Sequence, residues 1–250
     1  MEYSHDKILE IMNNKLYPLS NKYSPDWILD NWMGSHCLWL QEAMAKDLHL
    51  TSNQRVLDLG CGKALSSIFL AKEYGVQVWA TDLWIAATEN WTRICEMNVA
   101  DKVYPIHADA KDLPFADGFF DAMVSINALF FFAPNSRFLK EHIFRYIKPG
   151  GEIGVVVPGF YKLYNHVPDE LKAHWHPDMD KWYTLEWWKD AFIDSGAADI
   201  IISDTFPNQE GNAIYRKSTM LENTHEHPFH SLAIDNITFI REGRKCFRSA

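Results

Sequence analysis

The segment that most limits how this chain can fold is residues 56–64, Val-Leu-Asp-Leu-Gly-Cys-Gly-Lys-Ala. An apolar run with one carboxylate near its end turns through two glycines into a helical stretch, residues 65–74, that Gly75 closes. A strand buried on both faces reads as such a run, and the glycines let backbone approach a ligand closely at the turn. Residues 76–81 form a second apolar run, so the unit is strand, helix, strand. The alternation continues with helical spacing at Trp84, Ala87, Trp91 and Ile94, strands over 102–106 and 119–126, a helix over 136–147 stopped by Pro149, and a strand over 152–157. This order demands a mostly parallel α/β sheet covered on both faces. Ligands of such sheets sit beyond the carboxyl ends of the strands, where the glycine turn falls.

After residue 157 the rhythm breaks. Residues 158–183 are aromatic, contain histidines and lack periodicity, which suits a lid inserted after the fifth strand. A helix over 185–194, ended by Gly196, and strands over 199–204 and 234–240 follow, while 205–230 carry no assignable pattern. At 250 residues the chain suits one domain, divided into a helical cover (1–50), a cofactor-binding core (51–157), the lid, and the rest of the sheet (184–250). Cys37, Cys61, Cys95 and Cys246 form no CxxC pair and read as free thiols.

The net charge of -9 repels a phosphate backbone and argues against nucleic acid as a partner. The first 16 residues mix Glu2, His5, Asp6, Lys7 and Glu10 among apolar side chains, unlike a signal peptide. The most apolar stretch, 122–134, is interrupted by Ser125 and Asn127 and is too short for a bilayer. The expectation is a cytoplasmic protein with no membrane partner.

Spacing narrows the cofactor. The dinucleotide fingerprint needs a small residue where Leu65 stands, and the phosphate loop needs Ser or Thr at Ala64 and glycine at Leu57. A nicotinamide cofactor and a nucleoside triphosphate are both disfavoured.

Residues 56–64 resemble the first motif of the class I S-adenosylmethionine methyltransferases, with Ala64 where that family more often has glycine, a departure conservative in size. Further matches follow in order: Thr81-Asp82-Leu83, Ala108-Asp109-Ala110 with Leu113-Pro114-Phe115, Phe120-Asp121, and Lys148-Pro149-Gly150-Gly151. Within the superfamily the likeness is to small-molecule enzymes of the ubiquinone and menaquinone biosynthesis type, including their approach segment, here residues 23–34. The NPPY-type signature of amino-group methylation on adenine or glutamine is missing, because the fourth strand ends in Ser125-Ile126-Asn127-Ala128.

The resemblance implies a doubly wound, seven-stranded, Rossmann-like sheet and S-adenosylmethionine as cofactor, with S-adenosylhomocysteine as product. It also implies roles. The turn Gly60, Cys61, Gly62 faces the amino acid end of the cofactor, Asp82 accepts from both ribose hydroxyls, and Leu83 packs on adenine. Asp109 accepts from the adenine amino group, the Ala110 N–H donates to the ring, and Asn127 touches the methionine moiety or the acceptor. The expected activity is methyl transfer to a small molecule by in-line displacement, for which no catalytic side chain is obligatory. The alternatives are binding without turnover, or transfer of another group from a related sulfonium donor.

Two clusters, Trp27, Trp32 and Trp39, then Trp175, Trp182, Trp187 and Trp188, read either as core or as an aromatic acceptor pocket formed where residues 23–34 and 158–188 meet. His166, His174 and His176 read first as surface residues and second as a general base. His225, His227 and His230, in a polar stretch without nearby Cys, do not read as a metal site, and no metal is expected.

Overall fold

The computed structural model describes residues 4–160 and 175–196, single residues between them (162–164, 166, 167, 169 and 172), and the backbone of strands 199–205 and 236–243. Residues 206–230, with His225, His227 and His230, and also His174 and Cys246, lie outside the described residues.

Three helices come first: α1 (His5–Met12), α2 (Pro25–Asp30) and α3 (Cys37–Ala45). Ser24 caps α2 with Pro25 at its first position, where a missing N–H costs nothing. The alternating part runs β1 (Arg55–Leu59), α4 (Leu65–Tyr74), β2 (Gln77–Asp82), α5 (Ala87–Glu96), β3 (Val103–His107) and β4 (Phe120–Ile126). Two short helices, α6 (Leu129–Phe132) and α7 (Ser136–Phe138), precede β5 (Ile147–Gly159), and α8 (Leu185–Asp194), β6 (Asp199–Thr205) and β7 (Asn236–Gly243) complete the order.

The strands lie side by side as β3-β2-β1-β4-β5-β7-β6. The first five are parallel, and β7 runs antiparallel to both β5 and β6. Because β2 and β3 lie on one side of β1 and β4 and β5 on the other, the chain changes direction between β1 and β4, and a crevice opens at their carboxyl ends.

Both faces of the central strands are apolar, as a doubly covered parallel sheet requires. Val56, Val124 and Val156 point into one core with Trp39, Ile68 and Phe69, while Leu57, Met123 and Val155 point into the other with Phe120, Trp188 and Phe192. The N-terminal helices belong to the first core. Glu42 of α3, although buried, is engaged: it accepts from the backbone N–H groups of Leu19 and Ser20 and from the Ser20 hydroxyl at 2.7–3.0 Å, which ties the segment before α2 to α3.

Two expectations need correction. The helix over 136–147 is one α turn followed by a wide turn (Leu139–Ile143) and a tight one (Phe144–Tyr146); this change of pitch keeps Leu139, Ile143, Phe144 and Tyr146 all buried. Pro149 does not stop a helix. It lies within β5, which begins at Ile147 and bulges where Phe120 pairs Ile147 and Ala122 pairs Glu152. Most of the tryptophans named above are core: Trp39 and Trp188 are fully buried, and Trp187 stacks on Tyr183 at 3.8 Å. None of the helices among the described residues is long and apolar enough to cross a membrane.

Candidate functional site

The turn leaving β1 is built on positive φ. Gly60 sits at +76° and Gly62 at +53°, and a Cβ on Gly60 would lie 2.2 Å from the Ala128 methyl, so glycine is required there twice over. Ala64 also adopts the left-handed region at φ +62°, which costs a residue with a Cβ about 1–2 kcal/mol. The replacement of glycine by alanine is therefore conservative in size but not in backbone strain. Behind the turn, the fully buried Asp58 accepts from the Ser66 and Ser67 hydroxyls, both at 2.6 Å on Oδ2, while Oδ1 has no partner. Burial pushes its carboxyl up to about 6 against the pull of the two hydroxyls, and the Asp82 charge adds to the rise.

Asp82, at the end of β2, binds the turn directly. Its Oδ2 accepts from the Gly62 N–H at 2.8 Å, and its Oδ1 accepts from the N–H groups of Trp84 at 2.7 Å and Ile85 at 3.0 Å. Asn90 of α5 holds the other side of the turn, donating to the Gly62 carbonyl at 2.9 Å. Above these residues, at the carboxyl ends of β1, β2 and β4, lies a cavity of about 340 Å³.

Of the residues singled out from sequence, Gly60, Cys61, Gly62, Asp82 and Asn127 line this cavity together. Asn127 follows β4 at φ +53°, its N–H donates to the Val156 carbonyl at 2.7 Å, and its buried Oδ1 has no protein partner. Leu83, Asp109 and Ala110 lie outside the cavity. Leu83 is half exposed and its carbonyl meets the His107 ring at 2.8 Å; Asp109 Oδ1 accepts from the Lys111 N–H at 2.9 Å; Ala110 is buried. His166 and His176 are exposed and do not line the cavity themselves, and the His176 ring meets Asp178, which does, at 3.2 Å.

The approach segment and the region after β5 do face each other across the space. Asn31, Met33, Gly34 and Ser35 contribute one wall, and Pro158, Asp178 and Trp182 another. The aromatic lining, however, is Trp84, Phe130, Phe131 and Trp182, so of the two tryptophan clusters Trp182 alone lines the cavity. Sequence reasoning missed Met33, Lys63, Trp84, Asn90 and Asp178 as site residues. Trp84, directly after the Thr81-Asp82-Leu83 motif, had the signal of position, and Met33 and Asp178 lay within the two segments expected to meet, whereas Asn90 had none.

The lining limits the chemistry. Burial pushes the Cys37 thiol up to about 12, with the Asp58 charge adding, and holds Cys61 well above its ordinary range for the same reasons, so neither is a thiolate nucleophile near neutral pH. Lys63 is pushed down by burial and by Arg93, and its ammonium donates to the Asp30 carbonyl at 3.2 Å. Among the described residues no group of three or more His, Cys, Asp or Glu side chains is arranged to hold a metal ion. What remains is a glycine turn, the Asp82 carboxylate at the end of the neighbouring strand, the Asp178 carboxylate on the far wall and the unpaired amide oxygen of Asn127. These can bind and orient a ligand but offer no nucleophile.

Residues 56–151 match a family described as a methyltransferase domain. The chain is 29% identical over 169 residues to the demethylmenaquinone methyltransferase of Listeria monocytogenes, covering 62% of this chain and 70% of that one. Among solved structures it resembles the [4+2]-cyclase SpnF, with a TM-score of 0.69 at 17% identity over 83% of this chain and 81% of that one. It also resembles Haemonchus contortus phosphoethanolamine N-methyltransferase 2 in complex with S-adenosylmethionine, with a TM-score of 0.68 at 18% identity over 95% and 60% of the two chains.

Proposed function

Residues 56–151 form a class I methyltransferase domain, and on that premise we propose that the chain moves the methyl group of S-adenosylmethionine to a small molecule held in the cavity above β1, β2 and β4. The observation that carries this reading is the union of the glycine turn and Asp82 around one cavity: a flexible backbone and a carboxylate, from adjacent parallel strands, at the switch point of the sheet. The residues suit the cofactor. Asn127 Oδ1 is a buried acceptor without a donor, as an ammonium group requires, and Asp82 Oδ2 has one backbone donor and room for another.

When bound, S-adenosylmethionine supplies an electrophilic methyl group on a sulfonium. The protein's own part is placement. Gly60, Cys61 and Gly62 take the amino acid end, Asn127 the ammonium or the acceptor, and Asp82 the ribose hydroxyls. Leu83, Asp109 and the Ala110 N–H form the adenine edge in this reading, beyond the cavity wall at Trp84. Met33 over Gly62, and Trp182 and Phe131 opposite, exclude water.

The finer assignments belong to the same proposal: a seven-stranded doubly wound sheet with a lid between β5 and α8, all in one domain, in a cytoplasmic protein. Calorimetry with S-adenosylmethionine and S-adenosylhomocysteine tests the site. Mass spectrometry of the nucleoside product then separates methyl transfer from binding without turnover and from transfer of another group.

A further inference from the structure

Two carboxylates line the cavity among the described residues, and they differ in what they already hold. Asp82 accepts three backbone N–H groups. Asp178, in the tight turn Pro177–Lys181, meets the His176 ring at 3.2 Å and keeps its side chain about one-third exposed. The thiols of Cys37 and Cys61 are held protonated by burial, and Lys63, a cation, is bonded to the Asp30 carbonyl, so Asp178 is the negative group left to meet an acceptor.

Four aromatic residues line the same cavity as that carboxylate. Trp84 stands edge-on to Phe131 with centroids 5.2 Å apart, and Phe130 edge-on to Trp182 at 6.5 Å, so four rings of different orientation line one space. An ammonium already sits against this group: Lys181 Nζ is 5.5 Å from the centroid of Phe131. Ring faces carry a negative quadrupole, and a set of them with one carboxylate is complementary to a substituted ammonium ion. The cation among the described lining residues is Lys63, whose ammonium is turned to the Asp30 carbonyl at 3.2 Å.

Resting on the methyltransferase reading above, we infer that the methyl acceptor is a small amine that binds as its ammonium ion, with Asp178 as counter-charge and Trp84, Phe130, Phe131 and Trp182 as walls, and that it gives up one N–H proton through the partly exposed Asp178 to solvent, which frees the nitrogen lone pair to take the methyl as the sulfonium sulfur leaves as a thioether. The test uses the full chain, wild type and Asp178→Asn. Binding of S-adenosylhomocysteine is measured first. The saturated protein is then titrated in a calorimeter with choline and, separately, with neohexanol, its uncharged isostere. Choline is expected to bind wild type about tenfold more tightly than neohexanol. Asp178→Asn is expected to bring choline close to neohexanol while leaving neohexanol and S-adenosylhomocysteine unchanged. Equal affinities in wild type, or a preference for choline that survives in Asp178→Asn, overturns the amine assignment alone. Failure of wild type to bind S-adenosylhomocysteine overturns the methyltransferase reading and this inference with it.

Discussion

The Gly62 N–H donates to Asp82 Oδ2 at 2.8 Å, so the turn after β1 and the end of β2 behave as one piece. Any ligand that donates hydrogen bonds to the Asp82 carboxylate is thereby held at a fixed distance from the glycine backbone. The same carboxylate also fixes the start of the next loop, through Trp84 and Ile85.

Asp82→Ala is expected to weaken S-adenosylmethionine and S-adenosylhomocysteine alike by about a hundredfold, since two charge-assisted hydrogen bonds worth about 1.5 kcal/mol or more each are lost and the turn is released as well. Asp82→Asn keeps one acceptor oxygen and should fall between. Calorimetry on variants with native circular dichroism decides; unchanged affinity in a folded Asp82→Ala protein places the ribose elsewhere.

Gly60→Ala puts a methyl 2.2 Å from the Ala128 methyl at a φ of +76°. Overlap and strain together are expected to cost about 2 kcal/mol or more of stability and to abolish cofactor binding. Gly60→Ala combined with Ala128→Gly removes the overlap but not the strain, so urea melts should show partial recovery of stability. A single variant as stable as wild type means the turn is not confined by Ala128.

Much of this site was legible in the chain, and the reason is local. Residues 56–64 and 81–83 owe their placement to their own strands, and parallel pairing of β1 with β2 brings Leu59 beside Thr81 whatever the rest of the fold does. What was not legible depends on packing between distant segments. Trp39 and Trp182 are the same residue type in similar aromatic clusters, yet one is fully buried in the core and the other walls the cavity. Met33, nearly thirty residues before Gly62 in the chain, meets it only through the packing of the cover on the glycine turn. The wide turn Leu139–Ile143 and the bulge at the start of β5 answer to the shape of the second core, which no spacing within 136–151 encodes.

Asp58 gives a pH test with a definite sign. Its folded carboxyl is raised from 3.8 to about 6, so the folded state holds the proton more tightly than the unfolded one. The stability this contributes is complete below the unfolded value and is lost as pH rises through about 6, a loss of about 2–3 kcal/mol for a shift of this size. Asp58→Asn cannot ionise and still offers an oxygen to Ser66 and Ser67. Relative to wild type, the variant should therefore gain about 2–3 kcal/mol between about pH 4 and about pH 7.5 in urea melts. A difference between the two proteins that does not change with pH rules the raised carboxyl out.

Asn90 links the cover to the glycine turn. Its amide donates to the Gly62 carbonyl at 2.9 Å and accepts from Arg93 at 3.0 Å, and Arg93 in turn donates to Asn31 at 2.7 Å, next to the wall formed by Met33 and Gly34. The two bonds have separable consequences. Asn90→Ala leaves the Gly62 carbonyl without its donor and frees both turn and cover, so S-adenosylhomocysteine affinity should drop about fivefold to tenfold, the worth of about one buried hydrogen bond. Arg93→Ala leaves the Asn90 bond to the turn in place and releases only the cover, so association and dissociation should both quicken with little change in affinity. Stopped-flow fluorescence can follow this, because Trp84 and Trp182 line the cavity and report on its occupancy. Wild-type affinity in Asn90→Ala sinks the link to the turn, and unchanged rates in Arg93→Ala show that the segment around Met33 does not gate the cavity.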